Sequence, residues 1–297
     1  MVVGCSDVQR NKVMKLVRFG EPGREKPGLL GAGGVLRSLE HAVADIGGDV
    51  LNAASLARLA ALDLNQLPRV VEVPRYGPAV AGVGKMICVG LNYADHAAES
   101  GMAVPNEPVL FMKATTAISG PNDPVMIPRG SVKTDWEVEL GVVIGDIAHD
   151  VTVDAALDHV AGYLVVNDLS EREFQLERGG QWVKGKSCDT FGPIGPWLVT
   201  RDEVPDPQNL AMWLEVDGHR YQNGNTRTMV FGVASLVSYI SRFMTLMPGD
   251  IISTGTPPGV GLGQKPPVYL KPGSVMELEI EGLGRQRQVT VAARGSS

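Results

Sequence analysis

Two glutamates spaced two residues apart, and one distant aspartate, carry the chemistry most open to this sequence. Glu137 and Glu139 lie in Asp135-Trp136-Glu137-Val138-Glu139-Leu140-Gly141-Val142-Val143-Ile144-Gly145. On a β-strand successive side chains alternate between faces, so Trp136, Val138 and Leu140 share one face and Glu137 and Glu139 the other. An amphipathic strand with a solvated acidic face is the commoner outcome of such a pattern. Two features point elsewhere. The segment runs into Val142-Val143-Ile144, a continuous apolar run typical of a strand buried on both faces. Asp168 closes another such run, Tyr163-Leu164-Val165-Val166-Asn167-Asp168. Carboxylates at the ends of buried strands require a cation, and an oxygen-only ligand set suits a hard one: Mg²⁺, Mn²⁺ or Ca²⁺.

A base is available as well. Asn92 is a suitable N-cap for a short helix predicted to run through Ser100, with Asp95 in its first turn. On that helix His96 and Glu99 stand at i and i+3, on one face. The ordinary alternative is a surface ion pair of little energetic weight. The chemical one is a histidine oriented and made more basic by a carboxylate, ready to deprotonate water. His41, His149, His159 and His219 have no comparable context. Lys184 and Lys186 could bind a substrate carboxylate, against the alternative of plain surface lysines. Gly255-Thr256-Pro257-Pro258-Gly259-Val260-Gly261-Leu262-Gly263 follows a predicted strand, Asp250–Thr254. No Gly-Lys-Ser/Thr is present, and Pro257-Pro258 blocks a following helix, so neither a Walker loop nor a dinucleotide fingerprint is indicated. A loop of this kind offers backbone N–H groups and threonine hydroxyls to a small anionic or carbonyl ligand.

The elements that must hold these residues are mostly strands. Met14–Phe19 begins an alternating strand, Gly31-Ala32-Gly33-Gly34 reads as a hairpin turn, and Ser55–Leu62 as a compact helix. Pro68 and Pro74 then punctuate a linker. A small N-terminal α/β domain to about residue 75 is expected, followed by a larger domain opening with the strand Lys85–Gly90. Ser170–Gln175 is predicted helical, and Gly192–Pro196 extended. Trp213–Gln222 reads as a hairpin whose Asp217-Gly218 makes a type I′ turn. Val233–Met247 has helical spacing, and strands are predicted over Val275–Ile280 and near Gln288–Ala292. Thirty-six glycines and 20 prolines among 297 residues agree with a turn-rich, β-rich α+β chain. With 44% hydrophobic residues a sizeable core can form, and a net charge of −6 with no basic cluster argues against nucleic acid or an anionic membrane as partner. Cys5, Cys88 and Cys188 form no metal or redox spacing, and a reducing cytoplasmic location is expected. No apolar run is long enough to span a bilayer. Residues 1–13 are polar and unpatterned, as in a disordered leader or an upstream start.

Taken in order, several motifs resemble those of the fumarylacetoacetate hydrolase family. They are Gly-x-Asn-Tyr-x-x-His-x-x-Glu at 90–99, Asp-x-Glu-x-Glu-Leu at 135–140 and Asn-Asp at 167–168 with Arg172 and Gln175. Lys-Ser-x-Asp-Thr at 186–190 and Thr-Gly-Thr-Pro-x-Gly-Val-Gly at 254–261 complete the set, which covers about residues 80–293. The run 179–193 is similar to the branch of 2,4-diketo-3-deoxy-L-rhamnonate hydrolases, many of whose members are labelled ureidoglycolate lyase. Leu91 departs from the pattern, since many acylpyruvate-cleaving relatives carry Arg there. The resemblance implies a mixed β-sandwich roll, a homodimer, and Mg²⁺ or Mn²⁺ on Glu137, Glu139 and Asp168, with Ca²⁺ able to take its place in a crystal. It implies a 2-oxo acid substrate that chelates the metal, attack by water deprotonated by His96 and Glu99, and an enolate stabilised by Lys186. Arg172, Gln175 and Thr256 would position the substrate. Oxaloacetate decarboxylation or tautomerisation uses the same chelate without an attacking water. Ureidoglycolate lyase is a third possibility. A non-catalytic metabolite binder would have no need of the His/Glu base.

Overall fold

The computed structural model describes residues 14–72, 74–95 and 104–293. His96, Glu99 and the leader 1–13 therefore lie outside the described residues. Seventeen strands are described. In chain order they are β1 (Lys15–Phe19), β2 (Lys26–Leu30), β3 (Leu36–Ser38), β4 (Met86–Gly90), β5 (Val109–Lys113), β6 (Ile118–Ser119) and β7 (Val125–Ile127). Then come β8 (Thr134–Asp135), β9 (Val138–Ile144), β10 (Val160–Asn167), β11 (Ser170–Glu171), β12 (Gly192–Thr200), β13 (Ala211–Val216) and β14 (His219–Asn225). β15 (Ile251–Ser253), β16 (Val275–Ile280) and β17 (Gly284–Ala292) complete them.

The main sheet runs β3-β2-β1-β12-β10-β9-β15-β4-β5, and β6 pairs with β12. A short turn at Thr115–Ala117 separates β6 from β5. The β5 edge must therefore swing back towards β12, which curls the sheet into a roll without closing its ladder. A second sheet, β14-β13-β16-β17-β7, covers one face. Val138, Leu140 and Val142 of β9 and Tyr163 and Val165 of β10 meet Met212, Leu214, Met276 and Leu278 there in one apolar core. The helix Val233–Ser241 adds Val233, Leu236, Val237 and Ile240 to it. The opposite face of β9 and β10, with Val143, Leu164 and Val166, joins a second core with Leu16, Leu29, Leu51 and Leu59. All seven residues of β9 are buried because both faces are covered. This strand-rich α+β architecture is the one expected. The segment 14–75, anticipated as a small domain, places β1, β2 and β3 at the edge of the main sheet through β1–β12 pairing.

Several local expectations are met. Asp217 and Gly218 both have positive φ, 52° and 79°, as a type I′ hairpin requires. The predicted 55–62 helix spans Ala53–Ala60, capped by the Asn52 side chain on Ser55 N–H. Others shift. The helix from Val233 ends at Ser241, short of Met247. Ser170–Glu171 is a strand, and the helix begins at Arg172. The continuous strand expected from Asp135 is broken at Trp136 and Glu137, because side chains capture its backbone donors. Trp136 N–H donates to the Asp135 carboxylate, Glu137 N–H to Asn167 Oδ1 and Val138 N–H to Gln222 Oε1. Among the described residues, no helix is long and apolar enough to cross a membrane.

Candidate active site

Strand register brings the three carboxylates together. β9 and β10 are antiparallel, with Asn167 opposite Val138 and Val166 opposite Glu139. One step further Asp168 faces Glu137, and Asp168 N–H donates to the Glu137 carbonyl at 2.9 Å. Glu139 lies two residues along the same face, the diagonal neighbour of Asp168. One carboxylate oxygen from each of Glu137, Glu139 and Asp168 falls within 4.8 Å of the others. The solvated-face alternative is excluded: these residues are 5%, 2% and 0% exposed.

Three cations balance the cluster, unevenly. Lys186, at the end of the helix Val183–Lys186, bridges Glu137 Oε2 at 2.6 Å and Asp168 Oδ2 at 2.8 Å. Lys113, at the end of β5, donates to Asp168 Oδ1 at 2.5 Å and to the Leu169 carbonyl at 2.9 Å. Arg172 reaches Asp135 through Nε at 2.7 Å, Gln175 Oε1 through Nη1 at 3.0 Å and Glu137 Oε1 through Nη2 at 2.8 Å. Glu139 has no cationic hydrogen-bond partner among the described residues. Its Oε2 accepts from Ser253 Oγ at 2.6 Å and Gly255 N–H at 2.9 Å, and no described residue donates to its Oε1. Burial first, then the charges of Asp168 and Glu137, push the Glu139 carboxyl well above its usual range. Burial alone would depress the Lys186 ammonium, but Asp168 and Glu137 outweigh it and hold the lysine protonated above its ordinary range.

The three-carboxylate set fits a hard divalent cation. The donors are all oxygen, they converge, and the carboxylate oxygen to which no described residue donates, Glu139 Oε1, belongs to an anion that burial disfavours. Gly255 must be glycine for its N–H to reach Glu139. Its φ is +96°, and a Cβ there would stand 2.9 Å from Asn92 Cβ. Asn92, expected to cap a helix that lies mostly outside the described residues, ties loops together. Its amide donates to the Phe231 and Thr254 carbonyls and accepts from Phe231 N–H. Those bonds also hold the preceding Leu91 at φ 56°, a left-handed conformation that costs a non-glycine residue about 1 kcal/mol or more.

A cavity opens over the carboxylates, lined by Glu137, Glu139, Arg172, Gln175, Lys186 and Thr256 among others. The six expected site residues that fall within the described chain, Asp168 apart, thus meet there, with Asp168 directly beneath Lys186. Their side chains are not equally available. Every nitrogen of Arg172 is committed to a protein acceptor, so its immediate work is to hold Glu137 and Asp135. The Thr256 hydroxyl donates to the Val138 carbonyl and accepts from Gln222. The Gln175 amide nitrogen donates to no described residue and remains for a ligand. The two lysines separate: Lys186 is buried in the site, while Lys184 is at the surface on the Arg178 carbonyl at 2.5 Å. Lys113 was not anticipated. Its signal was a lysine closing the apolar run Val109-Leu110-Phe111-Met112, the same kind of signal that marked Asp168.

The sequence matches the model of the fumarylacetoacetate (FAA) hydrolase C-terminal family over residues 85–291. The chain belongs to the fumarylacetoacetate hydrolase family. A Burkholderia multivorans protein whose name goes no further than a supposed hydrolase is 68% identical over 282 residues, covering 95% of this chain and all of the relative. Among solved structures, the fumarylacetoacetate hydrolase of Exiguobacterium antarcticum is 38% identical, with a TM-score of 0.84 over 94% of this chain and all of that one. A 2-hydroxyhepta-2,4-diene-1,7-dioate isomerase from Mycobacterium marinum is 30% identical, with a TM-score of 0.73 over 95% of this chain and all of that one. As a fumarylacetoacetate hydrolase family member, the chain carries its acidic cluster inside the matched region, with Glu139 on β9 and Glu137 and Asp168 beside the adjoining ends of β9 and β10.

Proposed function

We propose that this protein is a Mg²⁺- or Mn²⁺-dependent hydrolase that cleaves a carbon–carbon bond in a 2,4-diketo acid and releases pyruvate. The observation carrying the proposal is the convergence of Glu137, Glu139 and Asp168 under a cavity into which Lys186 brings a protonated ammonium. Glu137, Glu139 and Asp168 would hold the ion, which supplies Lewis-acid polarisation of a chelating 2-oxo acid. Lys186 lies beside those ligands and stabilises negative charge developing on the 2-oxo oxygen. His96, oriented by Glu99, takes a proton from water as the water oxygen bonds to the C4 carbonyl carbon. The C3–C4 bond then breaks, its electron pair passes into the enolate of pyruvate, and the proton returns from His96 to C3. The second product is a carboxylic acid. Gln175 contributes its uncommitted amide to substrate orientation, Thr256 lines the same cavity, and Arg172 keeps Glu137 in place.

Within this reading the substrate is an acylpyruvate or a diketo-deoxy sugar acid, the latter from the resemblance of residues 179–193 to 2,4-diketo-3-deoxy-L-rhamnonate hydrolases. Likeness to an isomerase at 30% identity favours a second reading, tautomerisation or oxaloacetate decarboxylation through the same enolate. Purified protein, stripped with EDTA and resupplied with Mg²⁺ or Mn²⁺, is to be assayed for pyruvate release from acylpyruvates, diketo sugar acids and ureidoglycolate, and for loss of oxaloacetate. Activity on a diketo acid that disappears on chelation and returns with metal is expected. Full activity in protein shown by elemental analysis to be metal-free would refute the proposal.

A further inference from the structure

The cavity has two chemically different ends. Beyond its charged floor it is walled by Leu91, Phe111, Leu176, Trp182, Val260 and Leu262. Phe111 and Trp182 pack edge to face, with ring centroids 5.4 Å apart at 64°. The Lys186 ammonium stands 5.0 Å from the centre of the Phe111 ring, so the aromatic wall begins where the charged floor stops. Trp182 is seated on the backbone of β4. A Cβ on Gly90 would stand 2.6 Å from the indole ring, so only glycine admits the indole there. Leu176 and Leu262 leave 46% and 37% of their surface exposed, an apolar surface that a bound hydrocarbon would cover. The cations lining the cavity, Arg172 and Lys186, are already paired with Asp135, Glu137 and Asp168. Among the described lining residues no third cation faces the apolar wall.

Resting on the reading of the site as one for 2-oxo acids, we infer that the group beyond the chelating end of the substrate is an uncharged hydrocarbon tail. It is neither a second carboxylate nor a polyhydroxylated chain. A carboxylate placed against Phe111, Trp182, Val260 and Leu262 would lose its water without gaining a cationic partner among the described lining residues. Each methylene placed there should instead strengthen binding by up to about 4-fold.

Binding and turnover test this separately. Mn²⁺-loaded full-length protein is titrated with pyruvate, 2-oxobutanoate, 2-oxohexanoate and 2-oxoadipate, none of which can undergo diketo cleavage, following tryptophan fluorescence and calorimetry. Affinity is expected to rise from pyruvate to 2-oxohexanoate, and 2-oxohexanoate to bind at least ~10-fold tighter than the six-carbon diacid 2-oxoadipate, given the apolar gain and the unpaired charge. Leu262→Lys should narrow or reverse that ratio, and Trp182→Ala should flatten the rise with chain length. Equal or tighter binding of 2-oxoadipate, or no binding of any of the four acids, would overturn the inference. If the binding order holds but no acylpyruvate is cleaved, the hydrolase reading falls and the tail assignment stands. If acylpyruvates are cleaved but carboxylated tails are preferred, the assignment falls and the hydrolase reading stands.

Discussion

Replacing Lys113 by methionine tests whether the acidic cluster is held as a charge-balanced unit. Lys113 and Asp168 are both fully buried, and the lysine also donates to the Leu169 carbonyl. Methionine keeps most of the volume and removes the charge, leaving Asp168 with Lys186 as its cation. Deleting one partner of a buried pair costs about 3–5 kcal/mol. At roughly 2 °C per kcal/mol for a chain of this size, the metal-free variant should melt on the order of 6–10 °C below the parent. The cluster sets the four carboxyl groups of Asp135, Glu137, Glu139 and Asp168 against three cations, Lys113, Arg172 and Lys186. The variant therefore loses one of the three cations and should gain more from a divalent cation. Saturation at 100 times the dissociation constant contributes about 2.7 kcal/mol. Thermal unfolding followed by circular dichroism, in EDTA and in a Mn²⁺ series, is the assay. A metal-free Tm within 2 °C of the parent, or a rise with Mn²⁺ no larger than the parent's, would refute the reasoning.

Glu139→Gln should abolish calorimetric Mn²⁺ binding while leaving metal-free stability unchanged or raised, because burial already disfavours the Glu139 anion. His96→Ala should lower diketo-acid hydrolysis by at least ~10², spare metal binding and slow any oxaloacetate decarboxylation much less; equal losses would assign His96 a shared role such as proton return. Burial, as the main cause, pushes the Cys188 thiol up to about 11. At pH 8 its thiolate fraction is then on the order of 10⁻³, so iodoacetamide labelling of Cys188, located by mass spectrometry, should be slow and should accelerate as pH rises towards 11.

The carboxylates were legible because ionisable residues interrupted apolar runs, and a buried strand does not tolerate that without a partner. The same logic applied to Lys113, but Val109-Leu110-Phe111-Met112 is short, and only the curl of the sheet shows that β5 ends beside β10. The break after Asp135 was not legible. Its cause is largely long-range: Asn167 and Gln222 take the Glu137 and Val138 N–H groups, and the Asp135 carboxylate that takes the Trp136 N–H is itself held by Gly261 and Leu262, from a loop more than 120 residues away. Hairpins, by contrast, are local, and the Asp217-Gly218 turn followed from its two residues. The placement of β1, β2 and β3 at the edge of the main sheet also depends on pairing with β12, which no local pattern encodes.

Glu-x-Glu looks symmetrical in sequence, and the fold makes it asymmetric. Register sets Glu137 opposite Asp168, so one lysine can bridge both, and Arg172 completes the pairing of Glu137. Glu139, two residues on, faces the β15 side, where Ser253 and Gly255 supply neutral donors only. Neutral hydrogen bonds orient a carboxylate but do not cancel its charge at low dielectric. The carboxylate without a cationic hydrogen-bond partner among the described residues is therefore Glu139, at one end of the triad. Glu137, Glu139 and Asp168 would hold a divalent ion, with Glu139 the ligand that brings the least compensated charge. The Lys186 ammonium, hydrogen-bonded to Glu137 and Asp168, would supply a second positive charge beside those ligands.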